Sequence, residues 1–151
     1  MNLHKLLCAR AAAGKPLRVG LIGAGKFGTM FLAQALRTPG LHLLGVADLA
    51  PARARENLAR VGWPAERIAA ASLGEAVDRG TTWIGDDAKA LIAHPALDVV
   101  IDATGHPSAG IAHEGWVSEL LRSVDAPEAE KLIAQLGAIG SRLDRLKAAE
   151  E

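Results

Sequence analysis

The sequence contains no tyrosine, a single cysteine and no net charge, and aromatic residues make up 3% of its 151 positions. Each scarcity excludes something. One cysteine, Cys8, allows neither an intramolecular disulfide nor a cysteine-built zinc site. Few aromatics suit packing better than the stacking of bases, and balanced charge gives no electrostatic reason to expect strong binding to nucleic acid or an anionic membrane. No apolar run approaches the ~18 residues that span a bilayer. The run Leu6-Leu7-Cys8 behind Lys5 is cut by Arg10, too short for a signal core, and Leu7 does not suit a lipoprotein signal. A cytoplasmic protein is expected.

What the chain does have is alanine, 30 residues, and glycine, 16 residues, within a half-apolar composition. Small residues suit close helix–sheet packing. The residues 17–22, Leu-Arg-Val-Gly-Leu-Ile, read as a strand covered on both faces, because their apolar period is not two. A second strand is expected at Leu41–Ala47, a short third at Thr81–Ile84 and a fourth at Asp98–Asp102. Helices are expected at 2–14, 27–36 and 52–61, near 73–78, and from an Asp86-Asp87 cap through Ala93. Pro51 suits a first-turn position. Strands and helices alternating at this spacing predict βαβ units and a parallel sheet.

Residues 23–28, Gly-Ala-Gly-Lys-Phe-Gly, form a GxGxxG pattern that follows the first strand and opens a helix. Asp48 comes twenty residues after Gly28, where the second strand ends. This combination points to a dinucleotide. Gly23 permits the tight turn, Gly25 lets the backbone approach a pyrophosphate, and Gly28 lets helix and strand pack closely. The helix N-terminus offers N–H groups to the phosphates. Asp48 can accept from the ribose hydroxyls, and the same charge repels a 2′-phosphate, which favours NAD. Arg53 and Arg55 keep NADP open, since either could fold back toward a 2′-phosphate.

Three stretches carry a family resemblance: residues 10–28, Val46-Ala47-Asp48 with Ala52-Arg53-Ala54, and residues 98–105 with Pro107, Gly110 and His113. They resemble the homoserine-dehydrogenase-like NAD(P)-dependent oxidoreductases that carry a SAF domain further on. The resemblance covers about residues 1–113. It implies that Gly23, Gly25, Lys26, Phe27 and Gly28 line the pyrophosphate and that Asp48 holds the adenosine ribose. It also implies that Ala103, Thr104 and Gly105 run along the nicotinamide side. The fold class that follows is α/β, a truncated Rossmann-like parallel sheet of order 3-2-1-4 with a C-terminal helical hairpin.

After His113 the sequence departs from that family, which would continue with a fifth strand, a substrate domain and a catalytic lysine. Catalytic residues are therefore left unassigned. His106 stands at the carboxyl edge of the fourth strand, where it could touch nicotinamide, and His113 is read as a packing residue. Asp102 is open between orienting a cofactor and a structural hydrogen bond. Asp86-Asp87 is read as a helix cap, not a metal site, and Cys8 as a buried small residue. Two functions are carried: the NAD(P)-binding module of an oxidoreductase, or a non-catalytic nucleotide-binding or self-association module.

Residues 114–151 carry eight acids and five bases and no strand candidate. Trp116, Leu120 and Val124 share one helical face. Leu132, Leu136, Ile139, Leu143 and Leu146 recur at spacings of 4, 3, 4 and 3, a one-sided stripe. The stripe can fold back on the sheet or meet a second copy. So short a tail cannot cover both an open sheet edge and its own stripe, which favours a homodimer. Light scattering is expected to give about twice the 15.7 kDa chain mass, and Leu136→Asp with Leu143→Asp to return one. A wild-type monomer at high micromolar concentration selects the fold-back.

Overall fold

The structure of the chain, a computed structural model, describes residues 2–123. In order, these form α1 (Leu3–Ala12), β1 (Leu17–Ile22), α2 (Lys26–Ala35), β2 (Leu41–Ala47), α3 (Pro51–Arg60) and α4 (Leu73–Arg79). There follow β3 (Trp83–Gly85), α5 (Ala88–Ile92), β4 (Val99–Asp102) and α6 (Pro107–Ser123). The four strands make one parallel sheet of order β3-β2-β1-β4. This is the truncated Rossmann-like order expected above. No helix among the described residues is long and apolar enough to cross a membrane.

β1 and β2 are buried on both faces, which is why they read as continuous apolar runs. On one face Leu21, Leu43 and Val46 pack with Leu32 of α2 and Ala54 and Leu58 of α3. On the other, Leu44 packs with Ala76 of α4, flanked by Leu73, Trp83 and Leu97. Gly20 and Gly45 stand opposite each other on β1 and β2. A β-carbon at Gly45 would lie 2.7 Å from the Leu91 side chain, so the paired glycines admit α5 to the sheet.

Three local outcomes differ from the sequence reading. The third strand starts at Trp83, not Thr81. Thr81 gives its N–H to the Ala76 carbonyl and Thr82 gives its N–H to that of Arg67, so both finish the preceding turns. The helix expected near 73–78 is α4, and a 3-10 turn (Ala65–Ile68) precedes it. Ser72-Leu73-Gly74-Glu75 is an S-x-x-E start: the Ser72 hydroxyl accepts the Glu75 N–H at 3.1 Å, and the Glu75 carboxylate accepts that of Ala71 at 2.8 Å. Cys8 is not buried. Of α1 only Leu7 is, and the Cys8 thiol lies 3.6 Å from His4 on the outer face. Pro107 opens a helix that runs through the change of character at Glu114 to Ser123.

The α/β unit ends at Glu114, and from Gly115 the described residues are the remainder of α6. Trp116 and Leu120 lie on that helix. Val124, the second tail helix and the whole stripe from Leu132 to Leu146 lie outside the described residues.

His42, in β2, is buried, and its Nε2 donates to the Thr81 carbonyl at 2.7 Å. Burial pushes the imidazole below its ordinary value of 6.5; the Thr81 bond opposes this, and Arg18 and Arg67 reinforce it. As pH falls, the unfolded chain therefore takes this proton before the native one. The stability His42 contributes is complete above 6.5 and is lost as pH falls from there toward the lowered native value. Urea unfolding from about pH 8 to about pH 5 is expected to show this decline, at most ~1.4 kcal/mol per pH unit from one group. His42→Gln, which keeps a donor for Thr81, is expected to flatten it.

Candidate functional site

The carboxyl ends of β1, β2 and β4 open onto a cavity of about 410 Å³, at the point where the chain leaves β1 for opposite sides of the sheet. Such switch points are where open parallel sheets bind ligands. Residues 23–28 form one wall. Gly23 has φ +87, and a β-carbon there would lie 2.9 Å from the Thr104 backbone nitrogen, so the turn needs glycine twice over. Gly28 is buried on α2, and a β-carbon would collide with the Gly23 carbonyl. Gly25 is different. Its φ is −71, nothing lies within 4 Å of its β-carbon position, and it lines the cavity.

The loop is tied down from several directions. Gly23 N–H donates to the Ala47 carbonyl at 2.8 Å. The Ala24 N–H donates to Asp48 Oδ2 at 2.8 Å, and the Ala24 carbonyl accepts the Asn57 amide at 2.8 Å. The Thr29 hydroxyl donates to the Gly25 carbonyl at 2.7 Å. α2 itself begins at Gly25 with no side-chain cap and no acid in its first turn. Its leading N–H groups and the positive end of its dipole are thus left for an anion.

Asp48 sits where the sequence placed it, with its side chain 8% exposed. Its second oxygen accepts the Ala50 N–H at 2.8 Å and faces Arg53 at 3.7 Å. The two candidate arginines separate cleanly. Arg55 donates to the carbonyls of Ile68 and Ile84, both at 3.1 Å, and so braces the 3-10 turn against β3. Arg53 is 66% exposed and lines the cavity beside Asp48.

Across the cavity stand Ala103 and Thr104, behind the end of β4. Asp102 Oδ1 accepts both the N–H and the hydroxyl of Thr104, at 2.9 and 2.7 Å, while Oδ2 accepts Nδ1 of His113 at 2.6 Å. Partial burial pushes the Asp102 carboxyl up, but these bonds outweigh it and hold the group below its ordinary 3.8. An ionised carboxylate only accepts, so Nδ1 of His113 carries the shared proton. His113 and His106 both line the cavity.

Of the residues expected to meet a cofactor, Gly23, Gly25, Asp48, Ala103 and Thr104 line this one cavity. Lys26 and Phe27 open α2 as exposed residues outside that lining, Gly28 supports the loop from behind, and Gly105 is an exposed turn residue with φ +70. Asp87 caps α5 through the Ala90 N–H at 2.8 Å, and Asp86 faces the cavity. Sequence reasoning did not find Asn57 and Thr29 as holders of the loop, nor His113 as the partner of Asp102. The eleven-residue gap between the last two crosses a strand end, a loop and half a helix, and has no local period to betray it.

Asp48→Ala leaves the Ala24 and Ala50 N–H groups without their acceptor. It is expected to cost about 1–3 kcal/mol in equilibrium unfolding and to speed hydrogen exchange at Ala24. Asp48→Asn, which keeps one acceptor oxygen, is expected to lose less. Compared with known proteins, the chain matches no protein-family model and no curated protein.

Proposed function

We propose that the α/β unit binds a nicotinamide dinucleotide across its carboxyl edge and serves as the cofactor module of an oxidoreductase. The observation that carries this reading is the pairing of an uncapped α2 N-terminus with a β-carbon-free approach at Gly25, beside a carboxylate fixed at the end of β2. Pyrophosphate over residues 23–26 would replace the missing cap. The adenosine ribose would then meet Asp48, whose oxygens each have accepting capacity beyond the backbone bonds they hold. The nicotinamide half would extend toward Ala103 and Thr104. When bound, the cofactor supplies a hydride acceptor or donor; the chain's part is to place it and to exclude competing chemistry. The resemblance to homoserine-dehydrogenase-like oxidoreductases supports the same assignment.

Asp48 disfavours a 2′-phosphate, so NAD is the cofactor proposed. Arg53 is the group that would serve NADP, and Arg55, spent on two carbonyls, is not.

Gly25→Val puts a branched side chain where the pyrophosphate lies, in a position that is sterically open and conformationally ordinary in the free chain. Calorimetric titration is expected to show wild-type binding of NAD, weaker binding of NADP, and no binding of either to Gly25→Val at an unchanged unfolding midpoint. Equal affinity in the variant removes the proposal. Tighter binding of NADP would mean that Arg53 outweighs Asp48.

A further inference from the structure

The binding of NAD gives Arg53 no task, yet the chain places this cation at the mouth of the ribose site. Arg53 is the third residue of α3, a helix with no acid in its first turn and no side-chain cap. A cation there stands against the positive end of the helix dipole, so helix stability does not explain it. Packing does not explain it either. The side chain is 66% exposed, whereas Arg55, two residues on, is spent on the carbonyls of Ile68 and Ile84. Among the described residues the polar contact of Arg53 is a single one, Nη2 to Asp48 Oδ1 at 3.7 Å. Oδ1 also accepts the Ala50 N–H at 2.8 Å, and Oδ2 accepts that of Ala24 at 2.8 Å. A carboxylate oxygen accepts about two hydrogen bonds, so each has capacity left for a ligand. At Oδ1 the guanidinium stands beside that capacity, in the cavity that both residues line.

Resting on the dinucleotide reading, we propose that Arg53 is an internal competitor of the ribose. Its guanidinium holds Asp48 Oδ1 in the free chain, and NAD binds by displacing it. The ion pair thereby weakens the affinity for a ribose diol below what Asp48 alone would give. The diol gains its hydrogen bond to the carboxylate at the expense of an exposed ion pair, which is a weak one, so the competition is mild. A 2′-phosphate meets the opposite balance. It leaves the ion pair in place and offers the same guanidinium a second anion. Asp48 creates a preference for NAD, and Arg53 narrows that preference from both sides. Removing the cation therefore moves the two affinities in opposite directions, which a purely structural role for Arg53 does not do.

The test titrates NAD and NADP into the full chain and into Arg53→Gln. The variant is expected to bind NAD about 2- to 5-fold more tightly than wild type, the range of an exposed ion pair. It is expected to bind NADP about 10-fold more weakly or worse, the loss of a charge-assisted bond. The gain for NAD is expected to shrink between about 0.01 and about 1 M sodium chloride, as the screening length falls from ~30 to ~3 Å. Unchanged or weaker binding of NAD to Arg53→Gln overturns this proposal and leaves the dinucleotide reading standing. No binding of NAD to either protein overturns both. A second measurement needs no change at Arg53. In the wild-type chain the side-chain 15N resonance of Arg53 is expected to move, on addition of NAD, toward its position in ligand-free Asp48→Asn, where the ion pair is absent. A resonance that stays in place while NAD binds overturns the displacement.

Discussion

The Asp48 carboxylate is the constraint on which the rest of the site depends. It stands at the end of β2, yet its hydrogen bonds run to the glycine loop on one side and to the start of α3 on the other. The glycine loop and the β2–α3 turn, separate in sequence, thus share one pair of oxygens. Burying a carboxylate this far is costly unless its lone pairs are met, and two backbone N–H groups and Arg53 meet them. The same acid that would select a ribose is therefore also the tie that shapes the loop beneath it. Ligand selection and loop geometry cannot be altered independently at this residue.

A second set of ties comes from α3 and from the chain that follows it. Asn57 reaches the Ala24 carbonyl, and the Trp63 indole donates to the Leu32 carbonyl at 3.0 Å, inside the core. Arg67 lies over the Trp63 ring at 5.2 Å. The segment between α3 and α4 is therefore a brace for α2 rather than a passive connection. Since α2 supplies the N-terminus at the cleft, the brace fixes the direction of its dipole.

Much of this was legible in the sequence because the signals are local. β1 and β2 fall on the residues expected, since long apolar runs bounded by glycine, proline or aspartate have few alternatives. The parallel sheet followed from the alternation of elements, and the meeting of Gly23, Gly25 and Asp48 from their spacing within a βαβ unit. What was not legible depends on tertiary partners. Thr81 and Thr82 have strand-forming side chains, but their backbone is claimed by Ala76 and Arg67. Arg53 and Arg55 are two apart on one helix, and only the fold sends one to the cavity and the other to two carbonyls. His113 looked like a packing residue because its partner is eleven positions away across a loop. The S-x-x-E start at Ser72 was a local signal and could have been found.

The glycine pair Gly20–Gly45 has a consequence for the far wall of the cavity. α5 has five residues, too few to persist as an isolated helix. Leu91, fully buried, seats in the gap the two glycines leave, a burial of ~1.5–3 kcal/mol. The helix is thus better described as a plug with a short handle than as a layer of the fold. Asp86 and Ala88, at the head of the handle, border the cavity. Their position is set from beneath, by how deeply one leucine sits in the sheet, and a single methyl group added at residue 20 or 45 would lift that edge of the cavity while touching none of its lining.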